Sequence, residues 1–315
     1  MTCGNGRNEL TMGGREWIML LALAALWGSS FFFFKVMVGA LPPLTVVLAR
    51  VGIAALLLNA WLAILRDFMP ASARTWAAFI AMGLLNNILP FALIVFGETR
   101  ISSGLASILN ATPPMFTVLA ANWLTTNEKF TVPKAFGFVL GFVDVAVLIG
   151  PDALSGFANG DVLGEAACLL AAISYAFAGV YGRRFKGMDP IKVATGQITA
   201  STLVLIPLVA FIDRPWTLQM PGAEIWGAMV GIAVLCTVVA YVLYFRILAA
   251  AGATNLLLVT FLLPASALLL GWLVLGESIP SRAWGGMALI GAGLASIDGR
   301  LPRLLRARTT AGLAP

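Results

Sequence analysis

The amino-acid sequence predicts an all-α polytopic membrane protein with ten transmembrane helices, arranged as two inverted five-helix repeats. Three observations lead to this fold class: the composition, the lengths of the apolar runs and an internal repeat. Of the 315 residues, 60% are hydrophobic and 11% are charged, and the mean hydropathy is +0.94. A soluble domain has about 25% charged residues. The composition therefore excludes a water-soluble fold.

Ten apolar runs are long enough to cross the membrane, since a helix needs about 20 residues to span roughly 30 Å of hydrocarbon. The predicted spans are 17–38, 44–65, 76–97, 101–124, 132–150, 162–182, 191–212, 224–245, 252–275 and 282–298. The connections between them are short, so we expect no inserted soluble domain. The first run is too long for the core of a signal peptide and lacks a convincing cleavage site, so we expect it to be retained as a span.

Basic residues predict the orientation. With a cytoplasmic N-terminus, fifteen of the twenty Lys and Arg residues fall on the inner side, four fall on the outer side and Arg50 lies within a span. This is a clear positive-inside bias. Because the number of spans is even, the N-terminal tail 1–16 and the basic C-terminal tail 299–315 are both predicted to be cytoplasmic.

The second half of the sequence repeats features of the first half at an offset of 147 to 149 residues. Pairs at matching positions are Glu128 and Glu277, Lys35 and Arg183, and Arg50 and Gln197. Since each half has an odd number of spans, the second half must enter the membrane from the opposite side. The sequence therefore predicts two inverted repeats, 17–150 and 162–298, joined by an outer linker, 151–161. Secondary transporters use this architecture to alternate access to a site near the midplane.

The composition also limits the chemistry. The chain has no histidine, which excludes imidazole metal ligands and serine or cysteine nucleophiles with a histidine base. Its three cysteines, Cys3, Cys168 and Cys236, have no paired spacing. No phosphate-binding GxxxxGK[ST] loop occurs, so ATP does not drive the protein directly. We therefore predict no metal, no cofactor and no enzymatic activity. The energy for transport is expected to come from a coupled gradient or from the gradient of the substrate itself.

Several motifs resemble the EamA family of the drug/metabolite transporter superfamily, over residues 17–298. They are WGSSFFFFK at 27–35, Arg50 early in the second span, Pro113 and Pro114 before Glu128, and Pro264 thirteen residues before Glu277. The resemblance implies a central cavity lined by the first four helices of each repeat, with the fifth and tenth helices outside. It also implies export of amino acids or other small metabolites across the bacterial inner membrane, and is strongest to the aromatic amino acid exporters. The sixth span departs from the pattern, because YAFAGVYGR at 175–183 lacks the Trp-Gly pair.

Polar and aromatic residues at mid-span depth form the predicted substrate-binding set, since each lies in a span that the resemblance places at the cavity. The set is Trp27, Ser30, Asn86, Asn87, Asn110, Ser174, Tyr175 and Tyr241. An apolar cavity with a few hydrogen-bonding groups suits a zwitterion with an apolar side chain. A structural alternative for Asn86 and Asn87 is to satisfy a backbone carbonyl freed by Pro90.

Ionisable residues in the spans are functional candidates because charges in hydrocarbon are costly. Candidates for charge recognition or ion coupling are Lys35, Arg50, Asp144 and Glu165, and Glu98 also lies near the outer surface. Each has a structural alternative. Lys35 could be an interface anchor or pair with Glu98 or Glu165, Arg50 could be paired or cap a carbonyl, and Asp144 could be a buried paired or protonated carboxyl.

The sequence thus predicts a secondary transporter that exports aromatic or large apolar amino acids, or related small metabolites, by alternating access. Pro90, Pro114 and Pro264 are predicted sites of helix bending, since proline removes a backbone hydrogen bond. An uncoupled facilitator or channel is the alternative, and a membrane-embedded enzyme is a remote one. The expected partners are a small-molecule substrate and the lipid bilayer, without nucleic acid or an obligate protein partner. The coupling ion and the oligomeric state stay open.

Overall fold

The computed structural model describes residues 13–124, 143, 160–256, 258–278, 281, 284–289 and 292. All of the fifth predicted span, 132–150, except residue 143, and most of the tenth, 282–298, lie outside the described residues, as does the basic tail 299–315. The described residues form helices, turns and loops only.

The α-helices are named here in chain order. They are α1 (Gly14–Val38), α2 (Pro43–Ile64), α3 (Ala73–Gly83), α4 (Leu89–Glu98), α5 (Ser103–Leu109), α6 (Pro113–Leu124), α7 (Gly160–Tyr181), α8 (Pro190–Ile212), α9 (Ala223–Ala233), α10 (Ala240–Leu256) and α11 (Val259–Leu275). Two π-helical segments, Leu84–Ile88 and Val234–Val239, join α3 to α4 and α9 to α10. Each junction makes one long helix out of two.

Six helices in the described part of the chain are long and apolar enough to cross a membrane. They are Gly14–Val38, Pro43–Ile64, Ala73–Glu98, Val162–Phe185, Pro190–Ile212 and Ala223–Gly252. These correspond to predicted spans one, two, three, six, seven and eight. Large apolar side chains such as Leu56, Ile64 and Phe211 are exposed on them, as expected for helices that face lipid. The prediction of a polytopic helical membrane protein is confirmed.

The predicted fourth and ninth spans are interrupted rather than continuous. In the fourth, α5 ends at Leu109 and α6 begins at Pro113. The residue before a proline disfavours helical geometry, which places the break at this point. In the ninth, α10 has a kink at Gly252, where φ is 80°, and ends at Leu256, and α11 begins at Val259 and is followed by Gly276, where φ is 67°. Glycine adopts these left-handed conformations at little cost, so it marks both ends of the segment.

The two halves contain the same series of elements. The third and eighth spans start at Ala73 and Ala223, and their π-helical segments start at Leu84 and Val234, so both pairs are 150 residues apart. Each series therefore places a π-helical turn at the same depth of the corresponding span. The inverted orientation of the halves stays a prediction.

Several helix contacts correspond when the halves are exchanged. Helix α1 packs against α11, and its counterpart α7 packs against α6. Helix α1 also packs against α9 and α10, while α7 packs against α4. Helix α2 packs against its own counterpart, α8. The main apolar core draws residues from both halves, so the interface between the repeats is the centre of the described structure.

Helices α4 and α7 approach each other closely at two facing glycines, Gly97 and Gly164. A Cβ atom at Gly97 would lie 3.0 Å from the carbonyl oxygen of Gly164 and 2.7 Å from Cys168 Sγ. A Cβ atom at Gly164 would likewise lie 3.0 Å from the carbonyl oxygen of Gly97. Two backbones in contact leave no room for a side chain, so this spacing fixes α4 against the second half.

We predict that Gly97→Ala lowers the free energy of unfolding by about 1–3 kcal/mol, the usual cost of overpacking. The control is Gly179→Ala in α7, where an added Cβ has no neighbour within 4 Å and the gain in helix propensity is about 1 kcal/mol. Thermal unfolding of the purified variants in detergent measures both. Equal or higher stability of Gly97→Ala would show that this contact does not hold α4 in place.

Candidate substrate-binding site

Arg50 connects the two halves at the centre of the site. It lies two turns into α2, which begins at Pro43, and its side chain is 6% exposed. Nε donates to Thr237 Oγ1 over 3.2 Å, and Nη2 donates to the backbone carbonyl of Cys236 over 3.5 Å. Both acceptors belong to the π-helical segment of the second half. Such turns occur frequently at functional sites.

Aromatic rings enclose the Arg50 guanidinium. Its central carbon lies 3.9 Å from the ring centroid of Phe91 and 5.2 Å from that of Phe34, within the range of a cation–π interaction. Tyr175 and Tyr241 are near enough to interact with it electrostatically. The ring of Tyr241 stacks on Phe245 with centroids 6.1 Å apart. Two of the predicted substrate-binding residues, one on α7 and one on α10, therefore lie within electrostatic range of Arg50.

No carboxylate pairs with Arg50 in the part of the chain that the structure describes. Its partners there are a hydroxyl, a carbonyl oxygen and the faces of two rings. Buried charges in proteins are normally neutralised by an opposite charge. The carbonyl contact matches the predicted cap of a carbonyl, but it supplies no countercharge. The site can therefore accept an anionic group.

A second polar group surrounds the π-helical segment of the first half. Asn86 Nδ2 donates to Gln197 Oε1 and Asn87 Nδ2 donates to Ser201 Oγ, both over 3.1 Å. Gln197 and Ser201 lie on α8, so these bonds also join the halves. The sequence analysis named the two asparagines but not their partners, and of these partners Gln197 alone carried a signal that could have identified it, its repeat position opposite Arg50.

The carbonyl of Leu85 has a side-chain partner from the second half. It lies five residues before Pro90, the distance at which a π-turn N–H would donate, and proline has no N–H. Ser174 Oγ donates to this carbonyl over 2.7 Å. The structural alternative for the asparagines is therefore wrong, because Ser174 satisfies the carbonyl in place of Asn86 or Asn87.

The remaining predicted binding residues lie around this core. The ring of Trp27 packs against Tyr244 with centroids 5.7 Å apart. Ser30 is buried next to Ser29, whose Oγ lies 3.4 Å from Cys236 Sγ. Asn110 closes the C-terminus of α5. Within the described parts of the chain, no hydrogen bond joins these three predicted residues to Arg50.

A cluster of charged residues lies at the C-terminal end of α1. Lys35 Nζ donates to the backbone carbonyls of Glu98 and Ile101 over 2.7 and 2.8 Å. The alternative of an ion pair between Lys35 and Glu98 or Glu165 is wrong for the described residues, since the ammonium binds carbonyl oxygens instead. Glu165 is buried on α7. Asp144 lies outside the described residues.

The carboxylate of Glu277, from the second half, binds the N-terminus of α5 next to this cluster. Its carboxylate accepts from Ser103 N over 3.0 Å, from Ser103 Oγ over 2.7 Å and from Gly104 N over 3.4 Å. These groups form the N-terminal turn of α5, where unpaired N–H groups favour a carboxylate.

The three predicted bend prolines occupy different positions. Pro90 is in the first turn of α4, directly after the π-helical segment, and Pro114 is in the first turn of α6, after the break. Pro264 lies inside α11. Their part in movement stays a prediction.

Comparison with known proteins gives a consistent result. The model of the EamA-like transporter family matches residues 15–150 and again residues 162–297. The "Uncharacterized transporter YoaV" of Bacillus subtilis (strain 168) is 26% identical over 281 residues, covering 87% of this chain and 94% of that protein. The "Uncharacterized inner membrane transporter YedA" of Escherichia coli (strain K12) is 26% identical over 275 residues, covering 86% of each.

A solved crystal structure shares the fold, with a TM-score of 0.66 and 18% identity, and the match covers 93% of this chain and 99% of that one. Two matches to one family model account for most of the sequence, and they coincide with the two series of helices described above. The chain therefore belongs to the EamA-like transporter family and is a multi-pass membrane transporter.

Proposed function

We propose that the protein is a secondary transporter that exports amino acids with aromatic or large apolar side chains across the bacterial inner membrane by alternating access. The observation that carries the proposal is the buried guanidinium of Arg50, which lies among aromatic rings between the two halves without a carboxylate partner in the described residues. The inner-membrane location is supported by the helices of spanning length and by the name of the relative from Escherichia coli.

The substrate carboxylate supplies the missing countercharge. A guanidinium binds a carboxylate through two parallel hydrogen bonds of about 2.7–2.9 Å. The present bonds of Arg50, 3.2 and 3.5 Å long, are weaker than that. A carboxylate can therefore replace Thr237 and Cys236 as the partner of Arg50 at low cost.

The substrate ammonium needs acceptors, and the first half offers two. Asn87 Oδ1 and Asn110 Oδ1 are buried and have no hydrogen-bond partner. A buried acceptor without a donor costs about 1–3 kcal/mol, which a bound ammonium recovers. The site thus combines a free positive charge with free acceptors, as a zwitterion requires.

The substrate side chain has aromatic neighbours. Phe34 and Phe91 already face Arg50, and Tyr175, Tyr241 and the more distant Trp27 pack against the same apolar core. Offset or edge-to-face ring contacts add roughly 0.5–1.5 kcal/mol beyond the burial of apolar area. These rings favour an aromatic or large aliphatic side chain over a small polar one.

Alternating access follows from the equivalence of the halves. The bonds of Arg50 with Thr237 and of Asn86 with Gln197 all cross the interface between them. In an inverted repeat, rocking of one half against the other opens the same site to either side. A substrate bound to Arg50 replaces the hydrogen bonds that Arg50 makes across this interface. Binding therefore changes the free-energy difference between the two conformations of the transporter.

The test of the proposal is counterflow of labelled L-phenylalanine in proteoliposomes. We predict that the wild type shows saturable counterflow and that Arg50→Gln weakens binding of L-phenylalanine at least about tenfold, since loss of a charged hydrogen bond costs roughly 1.5–3 kcal/mol. L-phenylalaninamide, which lacks the carboxylate, should bind equally to both proteins.

The matched control is Arg100→Gln, which removes an exposed arginine that lies 4.9 Å from the ring of Phe96. It should leave counterflow unchanged. Absence of saturable counterflow in the wild type would overturn the proposed function, and equal losses for the acid and the amide would remove Arg50 from the binding site.

Trp27 provides a test of side-chain specificity. We predict that Trp27→Ala weakens L-phenylalanine binding by about tenfold, from lost stacking and burial, and weakens L-threonine binding less. Affinities measured on monodisperse protein check this, with Trp226→Ala, a half-exposed tryptophan of α9, as the control. Parallel losses for both amino acids would assign Trp27 to helix packing against Tyr244.

The orientation can be tested by cysteine labelling in a Cys3→Ser background, because Cys168 and Cys236 are buried. Met220 and Ala71 are exposed in loops that the positive-inside bias places on opposite sides. We predict that an impermeant maleimide labels Met220→Cys in intact cells and labels Ala71→Cys only after permeabilisation. The reverse pattern would contradict the predicted topology.

A further inference from the structure

Glu98 is a buried carboxyl group that the proposed transport site does not use. It is the last residue of α4 and is 0% exposed. Both of its carboxyl oxygens are buried and neither has a hydrogen-bond partner. The nearby cation, Lys35, donates to the backbone carbonyl of Glu98 rather than to its carboxyl group.

This environment opposes a negative charge. A buried carboxylate without donors costs several kcal/mol, whereas the neutral acid costs far less. The C-terminal end of a helix carries a partial negative charge, so the position of Glu98 at the end of α4 adds to this cost. In the described conformation Glu98 is therefore best accommodated as a neutral acid.

The elements packed against α4 supply few groups that could stabilise the ionised form of Glu98. The titratable and charged groups that face Glu98 or its helix are Lys35 from α1, Arg50 from α2, Glu165 and Cys168 from α7, and Glu277 at the N-terminus of α5. Arg50 meets α4 at Phe91, seven residues before Glu98. The Glu277 carboxylate is held by the backbone of α5. Among the described residues, Lys35 is the cation that acts electrostatically on the Glu98 carboxyl group.

We propose that Glu98 is a proton-binding site through which transport is driven by exchange of substrate for protons. The inference rests on the proposed function. A carboxyl oxygen of Glu98 holds one proton in the described conformation, and the proton leaves to water when the opposite conformation exposes the group. The remaining carboxylate then pairs with the Lys35 ammonium, which leaves the carbonyls of Glu98 and Ile101.

Helix α4 connects this proton site with the substrate site. The ring of Phe91 lies 3.9 Å from Arg50, and Glu98 follows about 10 Å further along the same helix at 1.5 Å per residue. Lys35 and Glu277 hold the two sides of the junction between α4 and α5. Release of Lys35 from the two carbonyls frees this junction, which lets α4 move relative to α1.

The test compares two transport modes of Glu98→Gln in proteoliposomes. Counterflow of L-phenylalanine without a pH gradient does not require release of a proton, so it should stay within about twofold of the wild type, well under the factor of ten that 1.4 kcal/mol represents. Uptake of L-phenylalanine driven by an acidic liposome interior requires release of the proton, so in Glu98→Gln it should fall at least about tenfold. Glu224→Gln, at the exposed start of α9, should retain both modes.

The outcomes separate the two proposals. Wild-type counterflow without any response to the pH gradient, or full gradient-driven uptake by Glu98→Gln, overturns the proton site and leaves the transport function intact. Absence of wild-type counterflow overturns the amino acid substrate instead.

If the wild type shows no counterflow, infrared spectroscopy still tests whether Glu98 holds a proton. The carbonyl band of a protonated carboxyl group should be present in the wild type at neutral pH, absent in Glu98→Gln and lost in the wild type at alkaline pH. A wild-type spectrum without the band, or a band unchanged in Glu98→Gln, would show that Glu98 is ionised and would overturn the inference.

Discussion

The burial of one guanidinium between two equivalent halves is the constraint on which the arrangement of the core depends. Arg50 is permanently charged, and a charge in a dry core needs donors, acceptors or rings around it. The second half supplies a hydroxyl and a carbonyl from its π-helical segment, and the first half supplies Phe34 and Phe91. The two hydrogen bonds hold α2 against α9 and the π-helical segment that follows it. The charge is left without a counterion among the described residues.

The repeat is symmetric in its backbone and asymmetric at the residues that give it chemistry. Corresponding spans contain π-helical turns at the same depth, but the position of Arg50 in the first half is occupied by Gln197 in the second. Gln197 accepts from Asn86, so the second copy of the position links the halves without adding charge. One net positive charge at the interface suits a single anionic group.

Hydropathy and repeat spacing predicted much of the fold because crossing a bilayer demands long apolar helices, and six of them are described. The breaks before Pro113 and after Leu256 were not predicted, since a hydropathy window averages over a single turn. The partners of the site residues were also missed. Whether Asn87 meets Ser201 depends on the rotation and depth of two helices, which neither sequence segment encodes alone. The roles of the site residues therefore stay proposals.

The central claim is that the substrate carboxylate neutralises Arg50, and a structure determined with L-phenylalanine bound tests it most directly. We predict carboxylate oxygens within hydrogen-bond distance of the Arg50 guanidinium, with the bonds to Thr237 and Cys236 lengthened or lost. The ring should lie against Phe91, Tyr175 or Tyr241. A bound ligand whose carboxylate is held elsewhere, with Arg50 still bonded to Thr237 and Cys236, would contradict it.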